Sequence, residues 1–340
     1  MTPLTPDRII QTALGFWPSK VVLSAMELEL FTVLGRKPMT GEDLRDALNL
    51  NERANPDFFD TLVALKFLER DGDGPTAFYR NSEETSAFLD KGNDGYIGGF
   101  MEMANARLYP FWGGLTEALR TGQPQNEIKH NGRPMFAELY SDPKRLELFM
   151  DAMSGISAPN FAAFAEKFDF TRFQTMTDIG GATGQMSMFV ARKHPHMKCK
   201  TLDLPEVTTI AKAKIAAAAL GDQVSAAPID FFTDSFPKAD VITMGMILHD
   251  WNLEKKKMLI KKAYDALPVG GAFVVVENLI DDARRENAFG LMMSLNMLIE
   301  FGDAFDFTGA DFRGWCKEAG FREFETIPLR GPASAGVAYK

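Results

Sequence analysis

The chain has 340 residues, 46% hydrophobic and 24% charged, so it can bury a substantial core and has the length of about two domains. Its formal net charge of −9 and pI near 5.1 argue against a protein that lives by neutralising nucleic-acid phosphates, and a small molecule is the expected partner. Residues 1–20 show no apolar run behind a basic start, no later stretch approaches the ~20 apolar residues of a membrane span, and Cys199 and Cys316 lack disulfide-framework or metal-ligand spacing; the expectation is a cytoplasmic protein with reduced thiols, no metal and no membrane contact.

The first third reads as helical. Apolar residues at helical spacing run from Ile9 to Leu34, with Gly35 and Pro38 as terminators. Thr40 has the place of an N-cap for a short helix opening Gly41-Glu-Asp-Leu, and Pro56 to Leu68 carries another helical pattern. Glu69-Arg-Asp-Gly-Asp-Gly-Pro, followed by Ala77-Phe-Tyr-Arg-Asn, reads as a glycine-rich turn and strand. Helix, helix and hairpin together suggest a winged helix. DNA-binding regulators also use that shape, but the segment that would read bases, Asn55 to Leu68, offers two acids, one lysine and much apolar surface, which suits packing or dimerisation.

From Phe173 the texture changes. Short apolar runs at Thr175–Ile179, Lys198–Leu202, Ala239–Met244 and Ala272–Glu277 alternate with helical segments, the pattern of a parallel sheet covered on both faces. His194-Pro-His196 falls between a helix and a strand and reads as solvated surface. Ligands of such sheets bind beyond the carboxyl ends of the strands, so each motif is sought just after a run.

The first run ends in Asp178-Ile-Gly-Gly-Ala-Thr-Gly184, where Gly180, Gly181 and Gly184 permit a tight turn into a helix over Gln185–Lys193 and close approach of a ligand to the backbone. The second ends at Asp203, a carboxylate placed to accept hydrogen bonds from ribose hydroxyls. Next comes Pro228-Ile-Asp230-Phe231-Phe232, an acid beside aromatic rings suited to an adenine base. Asp178, Leu204 and Met244, at or beside these strand ends, are assigned to the cofactor with them. A further run leads into His249-Asp-Trp251, the next strand ends at Glu277, and Asp306 follows later as an acid able to steady the histidine.

DIGGATG, LDLPEV, DFF and LHDW, in this order and spacing, resemble the plant-type and hydroxyindole-type small-molecule O-methyltransferases over nearly the whole chain. The resemblance implies a Rossmann-like class I methyltransferase α/β domain over residues 111–340, preceded by a mostly helical winged-helix dimerisation domain over 1–110. It also implies S-adenosylmethionine as cofactor, His249 as general base flanked by Glu277 and Asp306, and a homodimer whose N-terminal domains contribute to the partner's pocket. Two departures stand out: many relatives have a lysine where this chain has Gly245, and a glutamate where it has Asp306. The stretches PDRIIQTALGFWPSK, ANARLYPFWGGLTEALRTGQPQNEIK and ENAFGLMMSLNMLIEFGDAFDFTGADF are moreover similar to the bacterial methyltransferases of dimethylsulfoniopropionate synthesis, which implies S-methylation of 4-methylthio-2-hydroxybutyrate.

Acceptor walls are expected from Tyr109, Phe111, Trp112, Met153, Met293, Asn296 and Met297, and Arg107 or Arg313 would hold an acceptor carboxylate. A hydroxyl acceptor needs His249 to take its proton, with Glu277 holding the imidazole tautomer, whereas a thioether has a free lone pair and needs no base. S-methylation of the hydroxy-acid thioether is the leading expectation, O-methylation of a phenolic or indolic hydroxyl the alternative. A regulator that merely keeps the fold is a third, against which the intact glycine turn and Asp203 count.

Overall fold

The computed structural model describes residues 4–132, 139 and 142–340. The chain forms two compact units, Met1–Pro110 and Phe111–Lys340.

In the first unit the apolar run from residue 9 to 34 is not one helix but three, Asp7–Ala13, Phe16–Glu27 and Leu30–Arg36. Pro18 is tolerated only near a helix start, so a new helix begins at Phe16, and Glu29 adopts a left-handed conformation (φ 54°) that ends it. Thr40 caps the helix Gly41–Ala47 by accepting from the Asp43 N–H. Helix Asp57–Ala64 drives Phe59 and Leu62 wholly into the core. It stops short of Leu68 because that residue opens strand β2 (Leu68–Asp71), which pairs antiparallel with β3 (Phe78–Asn81); β3 in turn pairs with the short β1 (Met39–Thr40). Gly72 and Gly74, both at positive φ, make the turn between β2 and β3. This is the winged-helix arrangement of helices and wing.

The second unit is built on a seven-stranded, mostly parallel sheet ordered β6-β5-β4-β7-β8-β10-β9. Its strands are β4 (Thr175–Ile179), β5 (Lys198–Asp203), β6 (Val224–Pro228), β7 (Val241–Gly245), β8 (Ala272–Glu277), β9 (Glu323–Pro328) and β10 (Ser334–Tyr339). β4 to β8 run parallel, and β10 lies antiparallel between β8 and β9. The last two strands lie beyond the pattern read from the sequence. β10, Ser-Ala-Gly-Val-Ala-Tyr, has small residues because helix Gly309–Ala319 packs close: a β-carbon on Gly336 would lie 3.1 Å from the Phe312 ring and from Val275.

Strand β8 shows how the sheet is stabilised. Phe273 and Val275 enter the cluster on one face with Ile242, Met244 and Phe312, while Val274 and Val276 enter the other with Phe164, Phe170 and Val190. Burial on both faces fixes the register, because a one-residue slip would exchange the two sets. The ends of β4, β5, β7 and β8 are thereby held along one edge. Among the described residues no helix is long and apolar enough to cross a membrane.

Candidate active site

The turn after β4 is shaped by backbone and by what lies behind it. Gly180 (φ 68°) and Gly184 (φ 78°) are left-handed, as is Ala182 (φ 51°). A β-carbon on Gly181 would stand 2.2 Å from Thr201 Oγ1 and 2.6 Å from Asp178 Oδ2, and one on Gly180 2.4 Å from Ile247. The N–H groups of Gly180 and Gly181 donate to the Leu202 carbonyl at 2.8 and 3.2 Å, tying the turn to β5. Asp178 sits beneath the turn rather than facing a ligand: it is buried and accepts from Thr243 Oγ1 at 2.7 Å, and burial pushes its carboxyl up to about 7.

Asp203, at the end of β5, accepts from the Ala182 N–H at 2.9 Å and from the Leu204 N–H at 2.8 Å, one bond per oxygen. Each oxygen therefore keeps acceptor capacity for hydroxyl groups. Burial raises this carboxyl to about 6, and the two N–H bonds counter the rise. Phe231, Phe232 and Trp251 form an edge-to-face cluster with centroids 4.7 to 6.0 Å apart, and Phe231 reaches the Gly180 side of the turn. Asp230 is exposed and accepts from the Phe232 N–H at 2.9 Å. Leu204 is half-buried beside Asp203. The Met244 side chain, by contrast, is shut into the core, because β7 turns it toward Ile179 and Leu259; only main chain at that position can reach a ligand.

At Gly245, Met186 and Phe161 fill the space: a β-carbon there would be 2.7 Å from the Met186 methyl and 2.8 Å from the Phe161 ring. From Met246, left-handed at φ 56°, the chain turns sharply into the short helical turn Leu248–Asp250. Glu277 Oε1 accepts from the main-chain N–H of Ile247 (3.2 Å) and Leu248 (3.0 Å) and so pins this turn to the end of β8.

The pinned turn carries His249, which is 5% exposed. Its Nδ1 lies 3.5 Å from Asp306 and its Nε2 3.3 Å from Asp250. The donor atoms of His249, Glu277 and Asp306 fall within 4.8 Å of one another. Burial disfavours the charged imidazole, but Asp250, Glu277 and Asp306 together outweigh it and raise His249 to about 10. The same burial lifts Glu277 to about 7 and Asp250 to about 6. His249 Nδ1, Glu277 Oε2 and Asp306 Oδ2 are buried without a hydrogen-bond partner among the described residues, which leaves polar capacity inside the site.

Helix Ala288–Phe301 packs on the His249 turn and carries Met293, Asn296 and Met297. Asn296 accepts from Trp112 Nε1 at 2.9 Å, so two of the expected acceptor-wall residues touch. Met153, on helix Pro143–Lys167, is half-buried next to Ser154, whose hydroxyl is 2.9 Å from that of Thr183 in the glycine turn. Tyr109 and Arg107 belong to the first unit, where the Lys20 ammonium lies 5.5 Å over the Tyr109 ring. Arg313 does not serve as the expected free cation, since Asp282 accepts from its guanidinium at 2.6 Å. His194 and His196 are not simply solvated: they lie 2.7 and 3.2 Å from the carbonyls of Ala165 and Phe170. Both cysteines are free and buried.

Comparison with known families agrees with this layout. Residues 112–322 match the O-methyltransferase domain and residues 10–91 the O-methyltransferase dimerisation domain. The chain belongs to the O-methyltransferase family. It is 37% identical over 344 residues to the tetracenomycin polyketide synthesis 8-O-methyl transferase TcmO of Streptomyces glaucescens, covering 100% of this chain and 99% of that protein. It is 33% identical to the N,N-dimethyltransferase OxyT of Streptomyces rimosus, over 94% of this chain and 93% of the relative. Human N-acetylserotonin methyltransferase, solved in complex with S-adenosylmethionine, superposes with a TM-score of 0.90 at 27% identity, covering 100% and 99% of the two chains. The protein is thus an S-adenosylmethionine-dependent methyltransferase. These relatives carry oxygen- and nitrogen-methylating names and favour the O-methyltransferase alternative over the expected S-methylation in dimethylsulfoniopropionate synthesis.

Sequence reading passed over Asp250, Phe161 and Lys256, the last fully buried on the helix that follows the histidine turn. Asp250 had a signal, being the neighbour of His249 in LHDW; the other two had none. The cradle gives a direct test. Gly181→Ala inserts a methyl between two rigid neighbours, so calorimetry should show cofactor affinity reduced at least about tenfold, a loss of ~1.4 kcal/mol. Unchanged affinity would mean the turn does not hold the cofactor.

Proposed function

We propose that this protein is a cytoplasmic, homodimeric O-methyltransferase that uses His249 as a general base on a phenolic or indolic hydroxyl. The observation that carries the reading is the buried His249 held among three carboxylates on the turn pinned by Glu277. A thioether has no proton to lose, and such a constellation would stand idle in a sulfur methylase. The likeness to an enzyme named as an 8-O-methyl transferase of polyketide synthesis supports an aromatic acceptor.

S-adenosylmethionine, when bound, supplies an electrophilic methyl group. Gly180, Gly181 and Gly184 fit it as a backbone cradle, Asp203 as acceptor for its ribose hydroxyls, and Asp230 with Phe231 as the adenine wall. The chain's own task is to align the acceptor oxygen and remove its proton. Trp112, Met153, Met293, Asn296 and Met297 are the proposed acceptor walls. His249 takes the hydroxyl proton; Asp306 beside Nδ1 orients the ring, and Glu277 and Asp250 stabilise the imidazolium that results.

The sign of the pH dependence follows. The base must be neutral to act, and His249 is raised to about 10, so transfer should be slow at pH 6 and accelerate with pH until it levels off near that value. Single-turnover rates with labelled S-adenosylmethionine and a panel of phenol, indole and thioether acceptors test this. Phenols or indoles should be methylated, and His249→Gln should lower their rate by about a hundredfold to ten-thousandfold. Turnover of 4-methylthio-2-hydroxybutyrate alone, indifferent to His249→Gln, would restore the sulfur reading.

The dimer proposal rests on the dimerisation-domain match and on Ile9, Ile10, Phe16 and Trp17, all about half exposed or more on the first two helices. Light scattering should give about twice the 37.7 kDa chain mass, and a stable monomer at micromolar concentration would refute it.

A further inference from the structure

One charged group beside the site has no part in the mechanism above. Lys256, on helix Leu253–Ala266, is 0% exposed, although a buried lysine is rare unless its charge is matched. Its ammonium donates to the Trp251 carbonyl and lies 3.6 Å over the Phe305 ring centroid and 5.8 Å from that of Phe307. Those partners leave most of its charge to be balanced through space. Trp251 follows Asp250 in the chain, and Phe305 and Phe307 flank Asp306, so these contacts set the ammonium beside two of the acids around His249; Glu277 and Asp303 act on it as well. Three of these, Glu277, Asp306 and Asp250, are the ones that surround His249.

Two cationic groups thus face one set of acids in a buried space. From its own turn His249 meets Asp250; from the end of β8, Glu277; from the loop after helix Ala288–Phe301, Asp306; Glu300, on that helix, acts in turn on Asp250. Lys256 enters from the helix that Asn252 caps directly after the LHDW turn. Asn252 also donates to Asp303 at 2.8 Å, holding that acid at the rim of the cluster. At the distances of a shared cluster, a unit charge on one cation opposes protonation of the other appreciably in a protein interior.

We propose that Lys256 is a positioning residue for the transfer: its buried ammonium competes with His249 for the same carboxylates, and its charge decides how firmly His249 keeps a proton. Resting on the reading of His249 as the base, this makes Lys256 a group that loosens the proton on His249 for as long as its own ammonium is charged. Burial lowers Lys256 to about 8 against the pull of the acids, so its charge is present at neutral pH and is lost as the solution becomes alkaline. Below that pH it opposes the imidazolium; above it the opposition fades. Arginine at this position would keep the charge throughout, and methionine would never have it.

The test is an NMR titration of the His249 ring nitrogens in the full-length protein, assigned by loss of the signal in His249→Gln, with S-adenosylmethionine calorimetry to verify that each variant is folded. The His249 midpoint in Lys256→Arg should lie at least about one pH unit below that in Lys256→Met. Midpoints that coincide in two folded variants would overturn the proposal. Should the arginine variant not fold, the wild type decides against Lys256→Met: its His249 signals should show a second inflection as Lys256 titrates, absent from the methionine variant. A single inflection in both would overturn the proposal equally. Failure of the base reading itself is distinguishable, because it appears as an undiminished methylation rate in His249→Gln whatever the Lys256 titrations show.

Discussion

The site depends on one interaction above the others, the pair of main-chain N–H groups that Ile247 and Leu248 direct at Glu277. The chain leaving β7 has to reverse sharply at Met246, a left-handed residue whose N–H is already taken by the Val276 carbonyl. A turn of that kind, with a methionine at positive φ, stays in place only where its surroundings over-determine it. Glu277 supplies that constraint from the neighbouring strand, and because β7 and β8 are locked in parallel register the carboxylate arrives where the turn begins. His249 follows immediately and inherits the position.

The same carboxylate serves the chemistry. One oxygen holds backbone and the other, near the imidazole, has no hydrogen-bond partner among the described residues. Packing and electrostatics are therefore coupled, since the core strand that positions Glu277 also removes the water that would have screened it. Burial alone would leave the histidine neutral; three acids reverse that preference. The cost of collecting buried acids is visible in their own raised values, Glu277 at about 7 and Asp250 at about 6. A proton can therefore be shared within the cluster, the condition a base needs if it is to accept one without stranding a buried charge.

What the sequence disclosed follows from periodicity and strand ends. Parallel strands buried on both faces read as apolar runs, and their shared carboxyl edge made the positions of Asp203, His249 and Glu277 legible. The glycine turn was readable because Gly181 has no room for a side chain. Other features depend on long-range packing that no local pattern reports. β10 is written in small residues that look like a loop until helix Gly309–Ala319 is laid across them. Of Lys255-Lys256-Lys257, Lys255 lies over the Trp251 ring and Lys257 pairs with Glu318, but the middle lysine turns inward, and no local pattern tells it from its neighbours. Met244 looked like a ligand contact and is core, while Arg313 looked like a free cation and is paired. The acceptor atom was least legible, since alignment of oxygen or sulfur makes the same demands on a glycine turn and a strand-end acid.

That last distinction is also the central claim, and it has a proton count attached. Transfer of a methyl group from the sulfonium to a hydroxyl releases one proton, and transfer to a thioether releases none. The most direct measurement is proton release per methyl transferred, followed in weakly buffered solution with a pH indicator and calibrated against labelled product, using whichever acceptor the protein turns over fastest. Base-assisted O-methylation predicts one proton per methyl group, released more slowly when His249 is replaced by glutamine. Methyl transfer with no proton released would contradict it.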